Sequence, residues 1–396
     1  MSFLRAARAA LAGRSSLPRI LVAVVVIVIL AGLPLSCGNG SQKGTAPSHN
    51  AYVTLPGTGN VLLLYIDGAT GTITQGAQTP QVGGATPNGL ALLPSRKFLY
   101  AVNSAAYTIS TFNVASDGTG TLTFSGTTPA GNGPDAAVLD PSGQYLLVTN
   151  NYGNNISVFS IDAGSGALSE IAGSPFPANS GPSEILITPS GKFVFVSNPG
   201  IGMVTAFTFS NGVLTQAPGS PVFSGAGAFG LAVDATERFL YVANPSATNL
   251  PPYASTTGNI SGFNIDSGTG ALSPMIGSPF IASSSVATQN GPTAITVDPT
   301  GGFVYASTSG SSSSIWGFTI TPTNGQLVAV TGSPFSLSAG GLFALIDPTG
   351  DFLYIGSQSG SIAGYTYNQS TGALTAVSGS PFSIGTAPGK MVFSSQ

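Results

Sequence analysis

Three features of the sequence predict an all-β repeat protein. A tight turn followed by a short apolar strand, DPSGQYLLVTN at Asp140–Asn150, recurs five more times at intervals of 46 to 49 residues, apart from one interval of 64. Each interval contains four runs of strand-forming residues. Only 6% of residues are charged, while 54 are Gly and 29 are Pro. Four short strands in about 40–50 residues, joined by Gly- and Pro-rich turns, are typical of a β-propeller.

The repeated turn has a clear chemical basis. Pro141 fixes φ at the second turn position, and Gly143 suits the fourth. The other copies of the unit begin at Leu93, Thr188, Asp234, Asp298 and Asp347. We interpret the aspartates that open these turns as structural.

Each repeat contains the four strands of one antiparallel blade. In the second complete copy, the predicted strands are Ala136–Leu139, Tyr145–Thr149, Ile156–Ile161 and a run near Leu168–Ile171. The hairpin DAGSG joins the last two strands, and GSPF ends the repeat. Asp162 and Asp266 in these hairpins superficially resemble calcium loops, but their spacing supplies too few oxygen ligands, so we predict no metal site.

The two ends of the chain predict how the ring closes. The C-terminal TAPGKMVFSSQ aligns with the first strand of a repeat and ends where the second strand should begin. The N-terminal NAYVT aligns with a second strand, and a third and a fourth follow it. Six continuous blades and one composite blade therefore predict a seven-bladed ring without free sheet edges.

The sequence predicts three segments. They are a signal sequence over residues 1–37, a polar tether over 38–50 and the propeller over 51–396. Four arginines precede Ile20–Leu35, an apolar run too short for a typical membrane span. The run leads to Cys37, which resembles the acylated cysteine of bacterial lipoproteins, although Pro34 stands where that pattern has Leu. The alternatives are an ordinary secretory signal and an uncleaved anchor.

Charge and cysteine content exclude several classes of function. Cys37 is the only cysteine, so no disulfide can form within the chain. Without the four arginines the chain has 6 basic and 13 acidic residues, a net charge near −7. We therefore expect no nucleic-acid partner. We also expect a monomer, and neither function considered below implies a cofactor. Contact with a membrane is expected only through the N-terminal lipid or signal anchor.

The strings LVTN and YVAN after the repeated turn resemble the YVTN-type, lactonase-like seven-bladed propellers of bacteria, often described as 6-phosphogluconolactonase-like or muconate-cyclase-like. The resemblance covers Asn50–Gln396 and implies the propeller fold and the lactonase-like superfamily, whose fold hosts many functions. It also implies an Arg-His pair after the Pro that opens a first strand. Here Pro134 is followed by Asp135-Ala136, and no copy has that pair; the only histidine, His49, lies in the predicted tether.

Two opposite charges align at the same level of the predicted inner ring. Glu184 lies in the third blade and Lys390 in the composite blade, with Asp135 one position earlier in the second blade. If the protein is a lactonase, Glu184 or Asp135 would activate water and Lys390 would polarise the carbonyl. The alternative is that all three are solvated rim residues.

Amides and one long loop are the candidate ligand-binding features. Asn103, Asn150, Asn198 and Asn244 end the second strands and would bind sugar hydroxyls or a lactone, or would cap turns instead. The 64-residue interval places a long loop at 245–258, and Tyr253 is its only aromatic residue.

These observations favour an exported binding or interaction module of the cell envelope. It would be a periplasmic or outer-membrane lipoprotein, or a secreted protein, and its loop-bearing face would bind a small carbohydrate, a glycan or a partner protein. The alternative is a divergent lactonase that opens a sugar lactone, in the manner of a 6-phosphogluconolactonase.

Lipidation of Cys37 predicts a specific labelling result. Cells fed a radiolabelled fatty acid should label the wild-type protein and not Cys37→Ser, because the thiol is the acylated group. Equal label in both proteins would leave a secreted or signal-anchored form.

Overall fold

The structure is a computed structural model, and it describes residues 48–81, 86–246, 258–282, 291–310 and 313–394. These residues form 33 strands, β1 to β33 in chain order, in seven antiparallel sheets, with one 3-10 turn at Pro199–Ile201. The sheets are the predicted blades, so the seven-bladed propeller is confirmed.

The strands fall into five sets by their position in the blade, counted outward from the central channel. The first strands are β4 (Pro87–Leu92), β8 (Pro134–Leu139), β13 (Ile185–Ile187), β18 (Leu231–Val233), β23 (Pro292–Val297), β28 (Gly341–Ile346) and β33 (Met391–Phe393). The second strands are β5 (Phe98–Asn103), β9 (Tyr145–Asn150), β14 (Phe193–Asn198), β19 (Phe239–Asn244), β24 (Phe303–Thr308), β29 (Phe352–Ser357) and β1 (His49–Leu55).

The outer strands are listed in the same order. The third strands are β6 (Thr108–Val114), β10 (Asn155–Ile161), β15 (Met203–Ser210), β20 (Asn259–Ile265), β25 (Ser314–Ile320), β30 (Ser361–Tyr367) and β2 (Asn60–Ile66). The fourth strands are β7 (Leu122–Pro129), β11 (Leu168–Glu170), β16 (Val213–Gln216), β21 (Leu272–Pro274), β26 (Leu327–Ala329), β31 (Leu374–Ala376) and β3 (Ile73–Gln78). In each of these four lists the strands are given in the order of blades 1 to 7.

The GSPF segments add a short extra strand that the sequence did not predict. In blades 2 to 6 the segment pairs again with the third strand as β12 (Phe176–Pro177), β17 (Val222–Phe223), β22 (Phe280–Ile281), β27 (Phe335–Ser336) and β32 (Phe382–Ser383). In blades 1 and 7 one longer fourth strand covers the same length, with a register shift.

The repeated turns are held by their own side chains, as predicted. The Asp140 carboxylate accepts hydrogen bonds from the backbone N–H of Ser142 at 3.1 Å and of Tyr145 at 2.6 Å. The fourth turn residue has a positive φ, which is 68° at Gly143 and 57° at Arg96 in the first copy. Glycine adopts that conformation without a Cβ clash, which explains its frequency at this position.

Buried tyrosines on the second strands connect neighbouring blades. Their hydroxyls donate to glycine carbonyls in the hairpin of the next blade at 2.7 to 3.0 Å, in the pairs Tyr52–Gly120, Tyr100–Gly166, Tyr241–Gly325, Tyr305–Gly372 and Tyr354–Gly71. Burial raises the pKa of Tyr52 to about 12, so this hydroxyl stays protonated and able to donate at physiological pH. Leu147 and Phe195 occupy the equivalent positions in blades 2 and 3, so those contacts are apolar.

The composite blade is confirmed. Strand β33 pairs with β1 through Ala51–Phe393, Tyr52–Val392 and Val53–Met391. Backbone hydrogen bonds extend the pairing at both ends, from Thr54 N to Lys390 O at 2.9 Å and from Ser394 N to Asn50 O at 2.8 Å. The last blade therefore needs both ends of the chain.

The propeller begins slightly earlier than predicted, and this corrects the place of the histidine. Strand β1 starts at His49, which pairs with Ile66, so His49 belongs to blade 7 and not to a tether. Its ring is buried with an edge contact to Phe393, and its Nε2 lies 3.9 Å from Asp347 Oδ2. Because Asp347 opens a repeated turn, His49 lies at the end of the channel opposite to the starts of the first strands.

The rest of the predicted N-terminal region, including the signal sequence and Cys37, lies outside the described residues. Among the described residues, no helix has the length and apolar character needed to cross a membrane.

Ring closure predicts a strong effect of a short C-terminal deletion. Removing residues 389–396 deletes β33 and exposes the edges of β1 and of its neighbours. We expect aggregation or a large drop in melting temperature, measured by thermal unfolding with light scattering. A truncated protein that melts like wild type would contradict the dependence on this blade.

Candidate functional site

One residue from each first strand, or from the segment just before it, surrounds the mouth of the channel, where the first strands begin. The seven residues occupy the same position in the repeat, and they are Asn88, Asp135, Ser183, Phe229, Thr293, Leu342 and Gly389. All seven line one cavity of about 340 Å³. Such a cavity lies at the small end of the range for small-molecule sites.

Asp135 is held in place from both sides. Ser183 Oγ donates to Asp135 Oδ2 at 2.7 Å, and Asn88 Nδ2 lies 3.4 Å from Asp135 Oδ1. The Ser183 carbonyl in turn accepts a hydrogen bond at 2.7 Å from Thr149 Oγ1 of the second strand. The carboxylate of blade 2 therefore has a fixed orientation between groups of blades 1 and 3.

Glu184 and Lys390 form an ion pair across the channel. Their side chains come from blades 3 and 7, 206 residues apart in sequence, and Lys390 Nζ contacts Glu184 Oε1. The Lys390 side chain is 33% exposed and that of Glu184 is 17% exposed. No described residue makes a hydrogen bond to Glu184 Oε2. One carboxylate oxygen and two ammonium protons therefore remain available to a ligand.

The channel continues beyond this ion pair. A second cavity of about 130 Å³ is also lined by Glu184 and Lys390, and its other walls are largely apolar parts of first strands such as Ile295 and Met391. In the mouth cavity, Phe229 and Leu342 provide an apolar wall beside the polar groups. The ion pair thus lines both the outer and the inner cavity.

The four predicted binding amides end the second strands, but the structure does not bring them into the mouth cavity. Asn103, Asn150, Asn198 and Asn244 are all at least 99% buried. Asn150 Nδ2 donates to Asn155 Oδ1 at 2.7 Å and to Ser157 Oγ at 3.0 Å. The other three amides bond groups of their own blade or of the segment leading into it. This geometry favours a structural role.

The remaining residues considered from the sequence are Tyr253 and the two hairpin aspartates, Asp162 and Asp266. Tyr253 lies in the long loop outside the described residues. The carboxylates of Asp162 and Asp266 accept hydrogen bonds from the hydroxyls of Ser165 and Thr269 and from backbone N–H groups of their own hairpins, and these bonds lower the pKa of both carboxyls. Hydrogen bonding favours the charged form, so this is the expected behaviour of a turn carboxylate.

Sequence reasoning missed five polar lining residues of the mouth, namely Asn88, Ser183, Thr293, Ser309 and Gln358. Three of them occupy the same position in the repeat as Asp135. A position-by-position comparison of the first strands would have found them. Gln358 follows a second strand and had no comparable signal.

Comparison with known proteins assigns this propeller to a family. The family described as "Lactonase, 7-bladed beta-propeller" matches residues 46–175, 171–259 and 256–388, which is most of the chain. The chain belongs to this family. The match covers every first strand except β33, and with it the mouth cavity up to Pro388.

Individual members resemble parts of the chain or its fold. A protein of Sodalis glossinidius named 6-phosphogluconolactonase is 31% identical over 121 residues, which are 30% of this chain and 36% of that protein. The chain therefore aligns with well under half of this relative. A structure of a putative 6-phosphogluconolactonase from Bacteroides uniformis has a TM-score of 0.73 at 20% identity, covering 88% of this chain and 100% of that one. A periplasmic gluconolactonase of Pseudomonas aeruginosa has a TM-score of 0.71 at 18% identity, with coverage of 88% and 99%. At such identities the structures show a common fold alone.

A substitution at Asn150 tests the role of the amides. Asn150→Ala removes two buried hydrogen bonds and should lower the free energy of unfolding by about 1–3 kcal/mol. The exposed Asn132→Ala should change it by less than about 0.5 kcal/mol. Denaturant unfolding measures both. Wild-type stability in Asn150→Ala together with weaker sugar or lactone binding would favour the ligand-binding role instead.

Proposed function

We propose that the protein hydrolyses a lactone at the mouth of the channel. The observation that carries this proposal is that two carboxylates and one ammonium group, Asp135, Glu184 and Lys390, line a single cavity. Family membership and the names of the relatives support the same reaction class. Opening a lactone requires an activated water and a positive group for the developing oxyanion, and these side chains can supply both.

Lys390 has the role of electrophile. Its ammonium carries three protons, of which one is directed to Glu184. A lactone carbonyl oxygen that accepts one of the other two becomes more polarised, and the same contact strengthens as the oxygen gains negative charge. The ion pair also limits the directions in which the long lysine side chain can point.

Glu184 has the role of general base through Oε2. A water bound to this oxygen attacks the lactone carbonyl carbon and transfers a proton to the carboxylate, which forms a tetrahedral intermediate. The bond from the carbonyl carbon to the ring oxygen then breaks, and the ring oxygen takes the proton as an alcohol. The product is an open-chain hydroxy acid, and no atom is required beyond the lactone and one water.

Asp135 positions the substrate or replaces Glu184 as base. The bonds to Ser183 and Asn88 fix its carboxylate, so it can accept a hydrogen bond from a substrate hydroxyl or from the attacking water. The two carboxylates come from neighbouring blades and line the same cavity. Single substitutions at each position assign the two roles.

A second candidate function is the exported binding module of the cell envelope. The arc of Asn88, Asp135 and Ser183 beside Phe229 provides hydrogen-bonding groups and an apolar surface, which is an arrangement that binds a sugar ring without chemistry. In this proposal the signal sequence and Cys37 deliver the propeller to the envelope, and the mouth retains a carbohydrate.

The lactonase proposal predicts the effect of removing the base. Glu184→Gln should lower the turnover of a six-carbon sugar lactone by about 10²–10⁴-fold, the usual contribution of a general base. The free energy of unfolding should change by less than about 1 kcal/mol, because the partner Lys390 is partly exposed. Initial rates from a pH-stat, corrected for hydrolysis in buffer, measure the effect.

Matched variants make the result specific. Glu170→Gln changes an exposed glutamate on an outer strand and should keep wild-type turnover. A drop in Asp135→Asn with full activity in Glu184→Gln would assign the base to Asp135. If the wild-type protein hydrolyses the lactone no faster than buffer alone, the lactonase proposal fails and the binding module remains as the proposed function.

A further inference from the structure

The charged residues of the propeller are distributed unevenly between its two ends. All 13 acidic residues lie in the described part of the chain, together with five of the ten basic residues. Four of these five bases lie in the repeated turns at the end of the channel opposite to the mouth, and they are Arg96, Lys97, Lys192 and Arg238. Arg238 is bound there, with its guanidinium over the Phe239 ring and Nη2 donating to Pro322 O at 2.9 Å.

Lys390 is therefore the one base at the mouth among the described residues. The internal segments that the structure does not describe, 82–85, 247–257, 283–290 and 311–312, contain no Lys or Arg in the sequence. Lys390 already pairs with Glu184, and Asp135 adds a second carboxylate to the same cavity. The three charges sum to −1.

A phosphate group would have poor partners in this cavity. A phosphomonoester carries a charge of about −1.5 to −2 at neutral pH and is bound in proteins by several Arg, Lys or backbone N–H donors. Here it would compete with Glu184 for one ammonium group and lie near a second carboxylate. By contrast, uncharged hydroxyls can both donate to Asp135 and accept from Asn88, and the carbon face of a sugar ring can pack on Phe229.

We propose that the mouth selects uncharged, polyhydroxylated lactones and disfavours phosphorylated ones. This inference rests on the proposed lactonase function and specifies its substrate class. This substrate class would distinguish the chain from relatives that are named 6-phosphogluconolactonase. The long-range electrostatic field of the protein also disfavours a phosphorylated substrate. The described residues include five bases and thirteen acids, a net charge of −8, and this negative charge slows the encounter with an anionic substrate.

The test compares two substrates that differ only in the phosphate, glucono-δ-lactone and its 6-phosphate. The full-length protein, purified in mild detergent, is assayed with both after correction for hydrolysis in buffer. We expect kcat/KM to be at least about tenfold higher for the unphosphorylated lactone, a difference of about 1.4 kcal/mol. Raising the ionic strength should increase kcat/KM for the phosphorylated lactone and leave the other unchanged, because salt screens a repulsion.

A charge-adding variant provides an independent test. Gln358 lines the cavity and is not a hydrogen-bond partner of the side chains of Asp135, Glu184 or Lys390, so Gln358→Lys adds a base without removing a group of the proposed reaction. It should raise the ratio of kcat/KM for phosphorylated over unphosphorylated lactone by about tenfold. Gln358→Met, which has a similar length and no charge, should leave the ratio unchanged.

The possible outcomes separate this inference from the proposed function. Equal or higher kcat/KM for the phosphorylated lactone in wild type would overturn the substrate class and keep the lactonase. A kcat/KM for the phosphorylated lactone that falls as the ionic strength rises would also overturn the substrate class and keep the lactonase. Such a fall would indicate attraction between the protein and the phosphate. Hydrolysis of neither lactone above the buffer rate would refute the proposed function, and the inference would fail with it.

Discussion

The pairing of β33 with β1 is the interaction on which the rest of the structure depends. A propeller blade is stable because its faces are covered by neighbours, and the ring leaves no face uncovered only when the seventh blade is complete. Here the last first strand has three residues, and Met391 packs in the same buried cluster as Phe343 and Tyr354 of blade 6. The ends of the chain are thus joined by hydrogen bonds and by an apolar core.

The same contact creates the candidate site. Lys390 immediately precedes β33, and its backbone carbonyl accepts from Thr54 N while its backbone N–H donates to Thr54 Oγ1 at 2.8 Å. These bonds fix the start of its side chain at the edge of the channel, opposite Glu184. Closure of the ring therefore places the ammonium group over the channel, and loss of closure would remove the ion pair as well as the blade.

The repeated and the variable positions of the blades have different roles. The turn aspartates, the second-strand aromatics and the strand-ending asparagines recur, and the structure buries them in hydrogen bonds or in the core. The residues at the mouth differ from blade to blade, from Asp135 through Phe229 to Gly389. Asn150, for example, uses both protons of its side-chain amide within its own blade. The chemical character of the site comes from the positions at which the blades differ.

Periodicity alone was sufficient to predict the fold class, the number of blades, the turn chemistry and the composite closure, because each follows from local pattern and from how the two ends complement each other. Repeat alignment also placed Glu184 and Lys390 at one level of the ring, with Asp135 one position earlier. Only the tertiary structure decided that Glu184 and Lys390 touch, that Ser183 and Asn88 hold Asp135, and that His49 joins β1. The physical reason is that side-chain reach across a channel, and the satisfaction of buried amides, depend on distances between blades far apart in sequence.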